Sequence, residues 1–362
     1  MSVDTAIETK HVFGAEVPQP KQYGASGGIM RRLNFGTGLI GGIGLATIAG
    51  WVTAIVTPSS ASNDTFAPME PTYVYLAVLL GWVIGFMLGI GAFVGPLRWV
   101  VGRDITHDDA EYMAGKDLGR ARYWKYTTDH KVVGIQYLIA TMLLLGFAGL
   151  LAMLIRTELG MTWAELFSPS FYNSMIGTHG IAMIIGMIVV ISGPLGNFIV
   201  PMMIGARDMA YPRLNALSLW LLVAAIPMLI SSMFMGGIQD GWSVYQPLAS
   251  QAPVGMLGYQ LTIIVFAIST AIASVNLMTT ILTMRAKGMT WSRTPIFVYG
   301  IFAASLMGLY AFPFFQYSQI LGLSDRVFNT SFFNPLNGGS VWLYENLFWL
   351  LGHPEVYVII IP

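Results

Sequence analysis

Three side chains able to do chemistry fall within five positions near residue 355: His353, Glu355 and Tyr357, in the run Trp349-Leu350-Leu351-Gly352-His353-Pro354-Glu355-Val356-Tyr357. An imidazole can bind a metal, a carboxyl can carry a proton and a phenol can yield one. Four residues separate His353 from Tyr357, so on a helix they share a face and can touch. Pro354 removes a backbone donor and crowds the carbonyl four residues earlier, which predicts a kink at the His with freed carbonyls to be satisfied. Apolar neighbours penalise the charged form of Glu355, as suits a group that takes up a proton and passes it on. A kinked helix sealed by a polar patch is the plainer reading, but it does not call for three such groups together.

Two further clusters stand out. His179 lies in Met175-Ile176-Gly177-Thr178-His179-Gly180. The flanking glycines would let a flat macrocycle approach the backbone, so a haem axial ligand is one reading and a satisfied structural histidine the other. Asp208 is the one acid of a short loop, flanked by Asn197 and Asn215. By itself it reads as a salt-bridged loop residue with Arg207 or Arg213. Taken with Glu355 it reads as the mouth of a proton path, with Ser218, Ser269, Thr270 and Asn276 available across ~10–20 Å of depth. His11 and His107 lie in polar segments and His130 at the cytoplasmic foot of the third span, and all three read as solvated loop residues.

The elements that must position these groups follow from composition. Of 362 residues, 55% are hydrophobic and 10% charged, far below the roughly 25% charge of a soluble domain. Eight apolar runs are long enough to span a bilayer, which takes about 20 residues: 34–57, 73–100, 132–155, 174–203, 215–235, 257–283, 296–321 and 342–362. Turn formers such as Pro58-Ser59-Ser60 and Asn337-Gly338-Gly339 lie between them. The expected fold is an all-α polytopic membrane protein of eight transmembrane helices. A cytoplasmic N-terminal segment covers 1–33, two helices 34–102, a polar cytoplasmic connector 103–129, and the remaining helices 130–362.

Of the 18 basic residues, all but Arg156 and Arg326 fall in the N-terminal segment and alternate connectors, which puts the N-terminus in the cytoplasm. The first apolar run is too long and starts too late for a cleavable signal. Zero net charge gives no sign of a nucleic-acid partner, and the lack of cysteine excludes disulfides, Cys-bound zinc and iron–sulfur clusters on this chain.

The segment Gly352-His353-Pro354-Glu355-Val356-Tyr357 resembles the motif of subunit I of the haem–copper oxidases, in the branch that carries Glu there. Tyr126-Thr127-Thr128-Asp129-His130-Lys131, Thr178-His179-Gly180, Asp208-Met209-Ala210-Tyr211-Pro212-Arg213, Gly241-Trp242 with Tyr245, and Phe328-Asn329-Thr330-Ser331-Phe332-Phe333-Asn334-Pro335 occur in the family's order and spacing, so the resemblance covers roughly 124–362. It implies a terminal oxidase of the cytochrome c oxidase type that reduces oxygen to water and pumps protons. A quinol oxidase is the nearest alternative, and a proton-coupled transporter a distant one from another class.

The resemblance also implies roles. His353 would bind copper B, with Tyr357 its cross-linked partner, and Trp349 would pack beside the copper. His179 would be one axial ligand of the low-spin haem, expected to be haem A, beside a high-spin haem. Asp208 would open a proton path lined by Asn197, Asn215, Ser218, Ser269 and Thr270 and ending at Glu355. Partners would be a subunit II carrying copper A, which this cysteine-free chain lacks, a subunit III, cytochrome c or another electron donor, and membrane lipid of a bacterial-type inner membrane.

The family core has twelve helices, and this chain matches the first six. The other metal ligands would therefore come from a later segment or a separate polypeptide, and activity would need both those helices and the partner subunits. Helices 34–102 precede that core and read as an anchor or subunit contact. Arg207 stands where the family usually has Pro, and would favour the Asp208 carboxylate.

Overall fold

A computed structural model of the chain describes residues 28–57, 71–114, 119–160, 162 and 165–362. His11, Pro58-Ser59-Ser60 and Lys116 lie outside the described residues, as does most of the 1–33 segment. No strand occurs among the described residues. Eight long helices carry the fold: α1 (Phe35–Val56), α2 (Pro71–Ile90), α3 (His130–Gly160), α4 (Pro169–Ile204), α5 (Pro212–Phe234), α6 (Met256–Thr283), α7 (Ile296–Phe328) and α8 (Val341–Ile360).

Seven of them are apolar enough to cross a membrane by length and composition. The eighth, α8, is long enough at 20 residues. Its Glu345, Asn346, His353 and Glu355 lower its hydropathy below that of the rest, because this helix concentrates the polar groups. The second span is shorter than the apolar run 73–100 suggests. Gly91 adopts φ +90° and ends α2 at Ile90, and Val94–Val100 forms a separate short helix. α4 contains a π-helical stretch, Ile191–Gly196, with Pro194 inside it. Pro194 has no N–H to donate, and a widened turn accommodates the loss.

Sequential helices pack antiparallel, α3 on α4, α5 on α6, α6 on α7 and α7 on α8, and α8 also reaches α4. The α1–α2 pair docks on α5 and α6. Trp82 Nε1 donates to the Ala224 carbonyl at 2.8 Å, the Tyr75 hydroxyl pairs with Ser231 at 2.7 Å, and the Tyr73 hydroxyl donates to the Val327 carbonyl at 3.1 Å. Phe35, Phe86 and Trp220 cluster at ring separations of 6.0–6.2 Å. These two helices thus have a partner within the chain.

The connector is folded against the helices rather than loosely solvated. Arg31 pairs with Asp108 at 2.5 Å and Arg98 with the buried Asp109 at 3.0 Å. The Arg31 guanidinium holds the half-buried Asp108 carboxyl down at about 2. Lys125 is buried, donates to the Tyr112 carbonyl and lies 3.5 Å above the Tyr112 ring. Burial, and then the positive charge of Arg31, lower its ammonium to about 8.

Glycines set the α1–α2 spacing. A Cβ at Gly85 would lie 2.2 Å from the Gly41 carbonyl oxygen, and one at Gly89 2.2 Å from that of Thr37. Lipid supplies no hydrophobic force between helices, so such close backbone approach is what holds a membrane pair together. Gly85→Val should therefore separate α1 from α2 and lower the thermal unfolding midpoint of the detergent-extracted complex by several degrees. Gly44→Val, whose added Cβ meets nothing within 4 Å, should leave it unchanged in the same scan.

Candidate functional site

α8 divides the three groups of the opening motif between two faces. Successive residues turn by about 100°, so a residue two positions on points nearly the opposite way. Glu355 faces inward, 4% exposed, on the buried stripe with Tyr344, Phe348, Leu351 and Val358. His353, Val356, Tyr357 and Trp349 lie on the other side, exposed among the described residues. The His353 and Tyr357 rings meet edge to face with centroids 4.7 Å apart at 74°. The helix runs unbroken through Pro354.

Trp349 is fixed by its surroundings. Its Nε1 donates to the Tyr245 hydroxyl, and its ring stands edge-on to Trp242 at 6.1 Å. The ring lies against the bare backbone of Gly352, where a Cβ would come within 2.1 Å of it.

His179 is half-buried, and its Nδ1 donates to the Ala148 carbonyl of α3 at 2.9 Å. A carbonyl only accepts, so the proton is on Nδ1 and the Nε2 lone pair is available to a ligand-seeking metal. The flanking glycines serve another purpose than the one expected of them. A Cβ at Gly177 would lie 2.5 Å from the Ile238 carbonyl oxygen, and one at Gly180 3.1 Å from Trp242 Cβ. Both glycines receive the loop that follows α5, not a flat macrocycle. That loop carries Trp242, whose ring also packs on Phe348 at 5.1 Å, so it ties the His179 helix to α8.

Asp208 is half-buried in the loop between α4 and α5. It lines a cavity of about 420 Å³ with Met113, Thr128, Tyr211 and Arg213. No salt bridge to Arg207 or Arg213 forms among the described residues. Arg207 is exposed and is not among the groups that shift Asp208, so the expected favouring of the carboxylate does not occur. Burial pushes the Asp208 carboxyl above the usual range, against the Met209 N–H and the nearby His130, which favour the charged form.

His130 corrects a second expectation. It is 4% exposed, not solvated, and its Nδ1 donates to the Asn197 carbonyl at 2.8 Å. The residue opens α3 among polar neighbours, and that composition read as loop. His107 remains exposed, 3.6 Å from Glu111.

Beyond Asp208 the polar residues form a graded series. Asn276 accepts from the Tyr211 N–H at 2.8 Å, and Thr280 from the Ala210 N–H at 2.9 Å. Asn197 Oδ1, Asn215 Nδ2 and Asn276 Nδ2 are buried without a hydrogen-bond partner. Buried polar atoms of this kind are the ones that ordered water satisfies. Ser218 donates to the Asn215 carbonyl at 2.8 Å and Ser269 to the Ser218 carbonyl at 2.6 Å.

The Tyr137 hydroxyl meets Ser218 Oγ at 2.8 Å. No spacing or motif singles this tyrosine out among the 16 in the chain. Thr270 is not drawn in, for it turns back to the Phe266 carbonyl of its own helix at 3.0 Å. No hydrogen bond reaches the Glu355 carboxyl among the described residues.

Residues 132–362 match the family model described as cytochrome c and quinol oxidase polypeptide I. The chain belongs to that family. It is similar to cytochrome c oxidase subunit 1 of Thermostichus vulcanus, 41% identical over 242 residues that make up 66% of this chain and 44% of that protein. Cytochrome c oxidase subunit 1 of Bacillus subtilis is 40% identical over 243 residues, covering 66% and 39%. The haem–copper oxidase subunit I+III of Aeropyrum pernix is 37% identical over 245 residues, covering 66% and 30%. The chain thus spans less than half the length of these relatives.

The family implies haem and copper, and the residues present fit as single ligands. His179 offers an Nε2 whose tautomer Ala148 fixes, and His353 offers an imidazole on an uncovered face. Among the described residues no three His or carboxylate side chains gather to hold a metal, so neither ligand set is complete within them.

Two expectations follow. Gly352→Ala should displace the Trp349 ring and break its hydrogen bond to Tyr245, read as a shift of the indole N–H band in ultraviolet resonance Raman spectra. The protonated carboxyl of Asp208 should persist to higher pH than that of an exposed aspartate, because burial raises its pKa. Its infrared C=O band should disappear in Asp208→Asn, and loss of the band at the pH of an ordinary aspartate would contradict the burial argument.

Proposed function

We propose that this chain supplies the first half of the core of a catalytic subunit I, in a respiratory terminal oxidase that reduces oxygen to water and pumps protons. The single observation that carries the reading is the division of α8, with a His–Tyr pair on one face and a buried carboxyl on the other. The first suits a metal and its phenol, and the second a proton kept apart from them. When bound, haem and copper would supply one-electron transfer and oxygen binding.

His179 Nε2 would be one axial ligand of a low-spin haem, taken to be haem A, and His353 one ligand of copper B near a high-spin haem. The remaining ligands would come from core helices outside residues 1–362, in the same polypeptide or a partner. Tyr357 would hold its phenol proton beside His353, and Trp349 would wall that site. Protons would enter at Asp208, pass the water-binding amides of Asn197 and Asn215, follow the hydroxyls of Ser218 and Ser269, and reach Glu355. Thr270 is a weaker member, since its hydroxyl is occupied by its own helix.

The concentration of basic residues in alternate connectors supports a cytoplasmic N-terminus in a bacterial plasma membrane. Protons taken from that side and electrons from the other separate charge, worth ~2.3 kcal/mol per charge per 100 mV. Relatives named cytochrome c oxidase support cytochrome c as donor. A subunit II with copper A and a subunit III would complete the complex, within membrane lipid.

Two variants of the assembled complex test the roles. His179→Ala should abolish the low-spin haem absorption while leaving the high-spin signal. Glu355→Gln should stop proton uptake with both haems retained, and undiminished uptake would remove Glu355 from the path.

A further inference from the structure

The cavity at Asp208 has two walls from different parts of the chain. One is the loop between α4 and α5, which supplies Asp208, Ala210, Tyr211 and Arg213. The other is the connector, through Ala110 and Met113 of its helix His107–Met113 and through Thr128. All three of these residues precede 132–362, the part that matches the family model. Ala110, Tyr211 and Arg213 are exposed, so the cavity reaches the surface between the two walls. Met113 is 4% exposed and also lines a second cavity, of about 410 Å³, with Gly91, Trp99, Tyr126 and Arg213. An unbranched thioether between two open spaces is free to change rotamer, so its placement depends on the helix that carries it.

That helix is too short to be stable by itself, and it is clamped at both ends. Its first turn is acidic, as a helix N-terminus favours, and Thr106 caps it by accepting from the Asp109 N–H at 3.2 Å. The two acids of that turn grip the segment before α1. Asp108 accepts from the Gly28 N–H at 2.8 Å and Asp109 from the Met30 N–H at 2.9 Å. Gly28 must be bare for this, since a Cβ there would lie 2.2 Å from Asp109 Oδ1. Asp109 is 0% exposed, and Arg98, beyond the end of α2, neutralises it at 3.0 Å. At the other end the Met113 carbonyl accepts from the Thr128 N–H at 2.9 Å and from the Thr127 hydroxyl at 2.8 Å.

A buried charge that loses its partner is strongly destabilising, so Asp109 ties the connector helix to the α1–α2 side of the molecule. Ala110, the next residue, and Met113, one turn on, are the two that face the cavity.

We propose that this helix is a fitted outer wall of the water entry to Asp208, and that Asp109 is the positioning residue that holds it there. Asp109 acts only through Ala110 and Met113, and by placing them it sets how readily water and protons reach the Asp208 carboxyl. The α1–α2 pair thereby serves proton uptake as well as anchorage. Proton entry at Asp208 rests on the oxidase reading above, whereas the wall itself does not.

The chain has no cysteine, so Thr128→Cys places a single thiol in the cavity. In the assembled complex, its rate of modification by a small charged methanethiosulfonate, read on this chain by mass spectrometry, measures water access. Ala110→Trp should fill the cavity and slow the reaction several-fold. Asp109→Ala should release the helix and quicken it several-fold, and Asp109→Asn, which keeps an acceptor for the Met30 N–H, should quicken it less. Glu111→Trp, on the same helix but outside the cavity lining, should change nothing. With Asp109→Ala the infrared carboxyl band of Asp208 should also be lost at lower pH than in wild type, because the carboxyl gains water. Asp129, His130 and Arg213, the other charged or titratable groups that face it, are untouched in that comparison. Proton uptake by proteoliposomes should slow several-fold with Ala110→Trp, haem spectra unchanged.

Labelling unmoved by both Ala110→Trp and Asp109→Ala would overturn the wall. Labelling slowed by Ala110→Trp yet indifferent to Asp109→Ala would remove Asp109 from its positioning role. If the Asp109→Ala complex fails to assemble, Asp109→Asn and the exposed-site Ala110→Trp decide both points. Altered labelling with undiminished proton uptake would overturn the part in proton entry. A wild-type complex that bound no haem and consumed no oxygen would sink the oxidase reading and that part with it, and the labelling would still decide the wall.

Discussion

A carboxyl buried in an apolar helix, with no hydrogen-bond partner among the described residues, is the constraint to which the rest of this molecule answers. Glu355 is 4% exposed, on the face of α8 packed into the bundle. Water is scarce at that depth, so charging such a group is expensive unless polar matter reaches it. The helices around it carry an asparagine and serine series that begins beside Asp208. Its asparagines leave buried polar atoms without a partner among the described residues. A bundle built for stability alone would have filled these sites with apolar side chains.

Segregation of chemistry around α8 follows from helix geometry. His353 and Glu355 are two residues apart and so point away from each other. One short motif therefore presents an imidazole and a phenol to one side and a buried carboxyl to the other. Trp349, held by Tyr245 and seated on Gly352, stands on the His353 side. The loop carrying Trp242 then locks α8 to the helix of His179, so the two candidate ligands are positioned by one another's supports.

Much of this was legible in the amino-acid sequence, and the reasons are physical. Apolar runs near 20 residues long favour spanning helices, and all eight expected helices form, seven of them long and apolar enough to cross a membrane. The polar groups inside them are few enough to be conspicuous. Where expectation and structure part, the missing information is tertiary. His130 sits among polar residues and read as solvated, but the Asn197 carbonyl and the Asp208 loop close over it. Gly177 and Gly180 were correctly seen to allow close approach, but the visitor is the Ile238–Trp242 loop. Arg207 was expected to act on Asp208 because it is adjacent in sequence, yet its side chain points to solvent and burial prevails. The second span ends early at Gly91, whose positive φ has no hydropathy signal.

The central claim is that this chain, with the remaining core helices and its partner subunits, binds redox-active haem. A reduced-minus-oxidised absorption spectrum of the purified complete complex tests it most directly. The account predicts haem difference bands from two haems, of which the low-spin one depends on His179. A complete complex that carries no haem would contradict it.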